Sequence, residues 1–300
     1  MWEQRASLGF AMEAVYSFVG QSRQAFWQKM ESSRKFQALS RQIVSEVEAL
    51  RCVHPRMGAR KIYLKWCADT EMQSFVSGIG RDKFEAILLD NGLRLGKMVF
   101  GHRTTFSGAM RFMNRIAGQS FNGINQVWTS DITYYWIEGE WVYITLILDI
   151  YSRLCLSAVL SRRLLTEDTT LPALKQALDM RCGTTLAGLI LHSDGGGQYY
   201  DKNFVKKTGD SGIINSMGVS CYENPFSERL NGILKNEYLI PKKPLTYDSL
   251  KKELITTLFL YNTDRPHLSI NNLTPKMYEI LLKSIPIEQR IPLVIKVLEQ

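Results

Sequence analysis

Apolar residues in the first third of the chain recur at the spacing of helices. Between residues 36 and 51 they stand three or four positions apart, with charged residues on the opposite face. His54-Pro55 interrupts this pattern, because the residue before a proline disfavours helical backbone. Two further helices are predicted over Ala59–Cys67 and Arg81–Asn91, with Gly92 as the C′ residue that ends the second. Three short helices fit a helix-turn-helix unit, although small helical bundles also occur as plain scaffolds.

In the middle of the chain the apolar period changes from helical to alternating. Val127–Tyr135 and Trp141–Asp149 are rich in β-branched and aromatic residues, and Glu138-Gly139 between them predicts a hairpin turn. A third strand is predicted over Leu154–Leu160. The later predicted elements are a helix over Thr170–Arg181 with Thr170 as N-cap, a strand at Leu189–His192, a helix at Asp201–Thr208, a strand at Ile213-Ile214, a long helix capped by Asn224, and a helix over Tyr247–Tyr261. This order predicts a mixed α/β sheet.

Composition narrows the class of protein. With 300 residues, of which 45% are apolar and 22% charged, the chain can bury a core and is not disordered throughout. We find neither an apolar run of membrane-spanning length nor a secretory signal, so no membrane partner is expected. Five scattered cysteines without a C-x-x-C pair fit free thiols in a reducing cytosol.

The net charge of +8 belongs to the first part of the chain. Residues 1–125 contain 18 Lys and Arg against 10 Asp and Glu, whereas residues 126–300 contain 19 of each. A basic segment joined to a neutral one indicates a module that binds a polyanion, although basic surfaces also serve solubility. Between 94 and 125 basic residues alternate with aromatic ones, which suits either contact with nucleic acid or a linker whose aromatics dock on the next domain. The candidate phosphate contacts in this part are Arg60, Lys61, Arg81, Lys83 and Arg103.

Three acidic residues occupy positions in predicted strands, turns and helices that could serve a functional site. Asp131 lies inside the first predicted strand, where an acid costs several kcal/mol unless it is paired or metal-bound. Asp194 follows the short strand at 189–192 and precedes three glycines, at a strand end where α/β sheets place ligands, although Asp-Gly is also an ordinary turn. Glu228 lies one turn into the long helix, and Asn224, Asn231 and Lys235 share its face. A polar stripe of this kind is commonly just the solvated side of a helix.

Taken together, the three acids suggest a metal centre. Converging carboxylates can hold a pair of Mg²⁺ ions, and two metals can activate attacking and leaving oxygens in phosphoryl transfer. The four histidines form no H-E-x-x-H motif and match no zinc finger. Asp149 is a rival candidate, which we interpret as a turn residue or an ion-pair partner of Arg153. The segment from Tyr261 to His267 is most simply a helix cap and turn.

Five sequence blocks stand in order along the chain. They are His54-Pro-Arg-Met-Gly-Ala-Arg60; Trp128-Thr-Ser-Asp-Ile-Thr-Tyr134; His192-Ser-Asp-Gly195 with Gln198-Tyr199; Tyr222-Glu-Asn224 with Glu228, Lys235 and Glu237; and Tyr261-Asn262 with Arg265-Pro-His267 and Thr274-Pro275. Together they resemble the OrfB-type transposases of the IS-three insertion-sequence family, within the DDE transposase and retroviral integrase superfamily. Each block is weak alone, whereas the ordered set is specific and spans nearly the whole chain.

The resemblance implies a domain plan and a reaction. It implies a helix-turn-helix-like DNA-binding region at 1–93, a basic connector at 94–125, an RNase H-like catalytic core at 126–284 and a tail at 285–300. The implied activity is that of a metal-dependent DNA transposase, which cuts strands at the element's ends and transfers the freed 3′-OH to another phosphodiester.

The resemblance also implies site residues and partners. Asp131, Asp194 and Glu228 would bind Mg²⁺, or Mn²⁺, as a two-metal site, and Lys235 would contact DNA. The implied partners are double-stranded DNA of the terminal repeats and the target, further copies of the chain, and an upstream OrfA-type protein, separate or fused. The implied location is a bacterial cytoplasm, on the nucleoid. Rival interpretations are an inactive DNA-binding regulator or transposase remnant, and a nuclease without strand transfer.

Two departures from the family pattern stand out. The 33 residues between Asp194 and Glu228 are two fewer than usual, which we attribute to a shorter surface loop at Met217–Ser220. Glu223 replaces the usual Asp before Asn224, a conservative change at the start of the long helix.

Overall fold

The computed structural model describes residues 12–96, 111–218 and 224–296, which divide into two compact units. One contains the described residues up to Val53 together with Gly58–Arg94; the other contains His54–Met57 and the described residues from Leu95 onward. Within these ranges, no helix is both long and apolar enough to cross a bilayer. The four described cysteines are free thiols, while Cys221 lies outside the described residues.

The first unit is helical. Its elements are α1 (Met12–Val19), α2 (Arg23–Val53), α3 (Ala59–Ala68), α4 (Gln73–Val76) and α5 (Arg81–Asp90). Its core includes Trp66 of α3 and Phe84 of α5, whose rings meet edge to face with centroids 5.5 Å apart. Helix α2 begins at Arg23, well before the predicted start at residue 36. The prediction missed these first turns because they are exposed and carry no regular apolar pattern. Gly92, at φ +70°, lies just past the end of α5 as predicted.

The second unit is built on a five-stranded mixed sheet. The strands in the described residues are β1 (Ser120–Phe121), β2 (Val127–Ile137), β3 (Glu140–Asp149), β4 (Cys155–Ser161), β5 (Ile190–Ser193), β6 (Ile214–Met217) and β7 (Leu293–Val294). The sheet order is β4-β3-β2-β5-β6, with β3 antiparallel to β2 and β4, and with β5 and β6 parallel to β2. Strands β1 and β7 form a separate antiparallel pair. The sheet confirms the predicted RNase H-like α/β fold.

Helices cover both faces of this sheet. They are α6 (Thr170–Met180), α7 (Lys202–Asp210), α8 (Pro225–Gly232), which continues as a π-helical segment (Ile233–Leu239) and a last turn (Ile240–Lys242), α9 (Tyr247–Thr263) and α10 (Pro275–Lys283). Short 3₁₀ turns occur at Thr166–Asp168, Gly197–Tyr199, Leu268–Ile270 and Ile287–Gln289. One core packs α8, the π-helical segment and α9 against β2–β4, and the other packs α6 and α7 on the opposite face. The first four residues of strand β2 are therefore buried between two cores.

Local turn chemistry was predicted correctly at the hairpin and at the start of α8, and wrongly by one residue at the start of α6. Glu138 and Gly139 both adopt positive φ, as a tight two-residue hairpin turn requires. Thr170 is a helical residue rather than the N-cap, and its hydroxyl donates to Gln198 O at 3.2 Å. Asn224 does occupy the N-cap position of α8, yet its side chain makes no cap and donates to Ser130 O at 3.0 Å. In both cases an acceptor from a distant part of the chain replaces the local cap.

Candidate active site

Asp131 lies on the central strand β2, on the face that α8 covers. Its Oδ1 accepts a hydrogen bond from Ile132 N at 2.9 Å, and its Oδ2 accepts one from Asn231 Nδ2 at 2.5 Å. Burial raises the pKa of Asp131 to about 7, and repulsion from Asp194 and Glu228 adds to this rise. This repulsion indicates that Asp194 and Glu228 lie near Asp131.

Asp194 follows strand β5, the parallel neighbour of β2. Its Oδ1 accepts a hydrogen bond from Gly196 N at 3.1 Å, and burial raises its pKa. Strand β2 runs parallel to β5 with Thr129 opposite His192, so Asp194, just past the end of β5, lies close to the level of Asp131 on β2. The end of a parallel strand is where α/β sheets place ligands. The glycine run after Asp194 bends the chain into the 3₁₀ turn at Gly197–Tyr199.

Glu228 is exposed in the first turn of α8. The polar stripe to which it belongs faces strand β2, not only solvent. Asn224 bonds to Ser130 O, Asn231 bonds to Asp131, and Lys235 Nζ donates to Tyr134 O at 2.8 Å. The predicted shared face is confirmed for Asn224, Asn231 and Lys235, which contact residues 130–134 of β2.

Lys235 is the predicted DNA contact in the second unit. Burial lowers its pKa, while the charge of Asp131 acts in the opposite direction. Its ammonium group also lies 3.3 Å from Thr133 Oγ1. Lys235 thus lies beside Asp131 with two of its hydrogen bonds directed to the strand. Its helix is π-helical here, a distortion that occurs frequently at functional sites.

A buried hydroxyl chain beneath the acids was not identified from the sequence. Ser130 Oγ donates to Leu146 O at 2.9 Å and lies 2.9 Å from the Tyr199 hydroxyl. The chain therefore joins β2 to the turn after Asp194. Burial first, and then the charges of Asp194 and Asp131, raise the pKa of Tyr199 well above its ordinary value. The sequence signals were the positions of Ser130 in the second resemblance block and of Tyr199 in the third.

The predicted phosphate contacts of the first unit differ in their surroundings. Arg60 is exposed on α3, and Lys61 beside it is partly buried. Arg81 is paired with Asp82 at 2.8 Å, and Lys83 Nζ lies 4.3 Å from the centre of the Phe36 ring. The fifth, Arg103, lies outside the described residues.

Asp149 is buried at the end of strand β3, where its carboxylate contacts the following turn and Arg181. Its Oδ1 accepts from two backbone amides of the following turn, which confirms the turn interpretation. The predicted ion pair with Arg153 is wrong, because Asp149 lies 3.9 Å from Arg181, which pairs closely with Glu279. Arg153 lies over the Phe226 ring instead, 4.5 Å from its centre. Burial raises the pKa of Asp149, and the nearby Glu279 raises it further.

The segment from Tyr261 to His267 does more than the predicted cap and turn. Both amide atoms of Asn262 bond to the backbone of Cys155, at 2.9 and 2.8 Å. Arg265 forms a bidentate pair with Glu237 at 2.8 and 2.9 Å. These contacts join the end of α9 to strand β4 and to the π-helical segment.

The structure describes only part of the segment Met217–Ser220, to which we attributed the two residues missing between Asp194 and Glu228. Met217 is the last residue of strand β6, not part of a loop. Residues 219–223, including Glu223, lie outside the described residues.

The three acids supply oxygen ligands of the kind that Mg²⁺ prefers, and their mutual repulsion favours a cation among them. In the described part of the chain, no three Asp, Glu, His or Cys side chains are already gathered closely enough to enclose a metal ion. The donor chemistry therefore fits a divalent cation, while the side chains are not arranged as a closed ligand shell.

Comparison with known proteins places this site in a family. Residues 122–220 and 212–275 each match an Integrase core domain family. The 31 kDa protein of insertion element IS600 from Shigella sonnei is 31% identical over 210 residues, which cover 67% of this chain and 75% of that protein. Transposase InsF for insertion sequence IS3A from Escherichia coli is 27% identical over 161 residues, covering 53% of this chain and 55% of InsF.

A solved structure with the same domain was also matched. The HTLV-2 integrase catalytic core domain in complex with magnesium matches 55% of this chain and 98% of that domain, with 19% identity and a TM-score of 0.42. The family assignment does not depend on it, since it follows from the matched sequence families and the insertion-sequence relatives. The chain belongs to the IS-three family of insertion-sequence transposases and carries an integrase core domain.

Proposed function

We propose that this transposase cuts DNA strands at the ends of its insertion sequence and transfers the freed 3′-OH to a second DNA, using Asp131, Asp194 and Glu228. The observation that carries the proposal is the placement of the acids: Asn231 of α8 bonds to Asp131 on the central strand, and Asp194 follows β5, the parallel neighbour of that strand. Burial and the two neighbouring acids raise the pKa of Asp131 in this setting. An acid held this way on a central strand is costly for the fold, so a catalytic role is its best explanation.

Mg²⁺ or Mn²⁺ held by the three carboxylates would offset their repulsion and stabilise the attacking and leaving oxygens of phosphoryl transfer. The chain's own residues prepare the ligands. Asn231 and Ile132 N orient Asp131, and Gly196 N orients Asp194. The exposed Glu228 carboxylate would move toward the two aspartates to complete the set.

The reaction needs no covalent intermediate on the protein. In the first step a water oxygen bonds to the scissile phosphorus, the P–O3′ bond breaks, and the proton of water ends on the released 3′-oxygen. In the second step that 3′-OH attacks a target phosphorus and displaces another 3′-oxygen, again with transfer of one proton. Each step breaks one phosphoester bond; the second also forms one, so strand transfer requires no added energy source.

The test compares the full chain with its Asp131→Asn, Asp194→Asn and Glu228→Gln variants on duplexes carrying the element's end sequence. We expect all three variants to lose Mg²⁺-dependent cleavage and joining, while Asp179→Asn, an exposed acid on α6, keeps both. Titration calorimetry without DNA should show weaker Mn²⁺ binding in the same three variants. Unchanged joining by Asp131→Asn and Glu228→Gln would overturn the assignment, and cleavage without joining by the unmodified chain would favour a nuclease.

We also propose that the chain acts as a homo-oligomer on double-stranded DNA, with its basic helical unit binding the duplex. An upstream OrfA-type protein, separate or fused, would supply recognition of the terminal repeats. If the chain alone bound terminal repeats and cut them at the rate measured with that protein present, the upstream partner would be unnecessary. Mass photometry of the DNA complex should show more than one copy of the chain.

A further inference from the structure

One contact of the basic connector lies close to the candidate active site. The guanidinium carbon of Arg111 is 4.8 Å from the centre of the Tyr200 ring. Arg111 is exposed, and Tyr200 is partly buried in the turn that follows Asp194. The connector was predicted either to contact nucleic acid or to dock its aromatic residues on the next domain. In this pair, the basic residue comes from the connector and the aromatic ring from the core.

The fold fixes the connector beside this turn. Arg115 N donates to Ser216 Oγ at 2.9 Å, and the same hydroxyl is 2.9 Å from His192 Nδ1. Ile116 is fully buried in a small core with Val127 and Ile150. Arg111 is thus four residues from an anchor on strands β5 and β6, and Asp194 follows β5 directly.

The turn beside Asp194 offers an open surface. The Tyr200 hydroxyl donates to Gly195 O at 3.0 Å, which holds the ring against the residue after Asp194. Gly197 is exposed, and a Cβ built on it would meet only the edge of Tyr200, at 4.0 Å. A phosphate backbone can approach such a side-chain-free surface closely.

The hydrogen-bond donors of Arg111 are available to an anion. Among the described residues, no carboxylate pairs with it. Arg162 shows the contrasting case, since it lies over the Tyr247 ring at 4.4 Å but is also paired with Glu138 and Glu140. A guanidinium stacked on a ring keeps its in-plane N–H groups directed outward, in the geometry that matches a phosphate.

We propose that Arg111, held on Tyr200, binds a backbone phosphate of DNA beside Asp194. This inference rests on the proposed function, in which DNA lies across the three acids. The ligand is a phosphodiester, and it belongs either to the element's end or to the target duplex. Arg111 would therefore be a substrate-binding residue supplied by the connector, additional to Lys235.

The test measures DNA binding by the full chain without metal, using fluorescence anisotropy over a series of salt concentrations. We expect Arg111→Gln to raise Kd by about tenfold near 0.1 M salt, as for the loss of one charge-assisted contact. The slope of log K against log salt should fall in magnitude by about one. Arg111→Lys should keep most of the slope but bind more weakly. Arg162→Gln is the matched control and should leave both values unchanged.

Two duplexes distinguish the source of the phosphate. Weaker binding of only the end-sequence duplex assigns it to the element's end, and equal weakening with an unrelated duplex assigns it to target or general DNA. Either result supports the proposal. Unchanged binding of both duplexes by Arg111→Gln, or an equal loss in Arg162→Gln, would overturn it. Because no metal is present, this result is independent of whether the Asp131→Asn variant retains cleavage.

Discussion

The side-chain amide of Asn231 donates a hydrogen bond of 2.5 Å to Oδ2 of Asp131, and thereby joins helix α8 to the central strand. Glu228 lies three residues before Asn231, on the same face of the helix. One helix therefore supplies both a candidate ligand and the residue that orients another. The second oxygen of Asp131 is bonded to Ile132 N, so its carboxyl group is fixed from both sides.

We expect Asn231→Ala to weaken metal binding while leaving the fold intact. Asp131 would lose the donor that sets its orientation and helps to lower its pKa. Removing such an outer partner typically costs 10- to 100-fold in metal affinity or activity. Titration calorimetry with Mn²⁺ measures this directly. Asn236→Ala, on the same helix, is the control and should bind as the unmodified chain does. Equal affinities in the two variants would contradict a positioning role for Asn231.

The raised pKa of Asp131 predicts a pH-dependent stability of the metal-free chain. With a folded pKa of about 7 against an unfolded value near 3.9, the folded chain keeps a proton that the unfolded chain has released. Stability should therefore fall as pH rises from about 4 to about 7, by at most about 1.4 kcal/mol per pH unit from this group. Urea unfolding across this range should show the fall in the unmodified chain.

The Asp131→Asn variant isolates this contribution, since Asp194 and Asp149 also have pKa values raised by burial. The variant should have a flatter stability profile between pH 4 and pH 7. Adding Mg²⁺ at pH 7.5 should stabilise the unmodified chain more than the variant, because the cation favours the ionised carboxylates. Parallel profiles for the two proteins would show that Asp131 has an ordinary pKa.

The sequence predicted those parts of the fold that depend on local periodicity. Strands β2 and β3 and their hairpin follow from alternating apolar residues and a Glu-Gly turn, and the stripe on α8 follows from helical geometry. Long-range partners could not be predicted in this way. The side chain of Asn224 suits a local cap, yet Ser130 O, 94 positions away in sequence, is its acceptor. Only the packed sheet brings that carbonyl within reach.

The same limit explains the error at Asp149. Its turn follows from the sequence, because the acceptor and the backbone donors are neighbours. Its charged neighbour, Arg181, could not be predicted from the sequence, because the packing of α6 brings it close to Asp149. The Tyr199–Ser130 contact likewise joins two segments 69 positions apart. Such pairs depend on which elements adjoin, and no single-sequence pattern encodes that.

Gly196 is expected to tolerate no side chain without disturbing Asp194. A Cβ at this position would lie 3.1 Å from Asp194 Oδ1 and 3.1 Å from Gln198 Oε1, so both groups would have to shift. Gly196→Ala should weaken Mn²⁺ binding and reduce Mg²⁺-dependent cleavage. Gly197→Ala is the matched control for metal binding, because its Cβ would have an ordinary neighbour at 4.0 Å. Mn²⁺ affinities that do not differ between the two variants would refute a steric requirement at Gly196.

The buried pair between Arg265 and Glu237 predicts the largest loss of stability. Arg265 is almost fully buried and forms two hydrogen bonds to Glu237 on the π-helical segment that also carries Lys235. Arg265→Met should lower the free energy of unfolding by about 3–5 kcal/mol, because it leaves the Glu237 charge without its main partner. Arg163→Met, at an exposed pair with Asp168, should cost less than about 1 kcal/mol.

A double variant separates the burial of an unpaired charge from the loss of packing around Arg265. If the charge is the cause, adding Glu237→Leu to Arg265→Met should recover more than half of the lost stability, since an apolar pair removes the unpaired acid. Urea unfolding of the single and double variants gives both values. If the double variant were as unstable as the single one, the cost would lie in the packing of the Arg265 side chain, and the ion pair would contribute little to holding the π-helical segment against the end of α9.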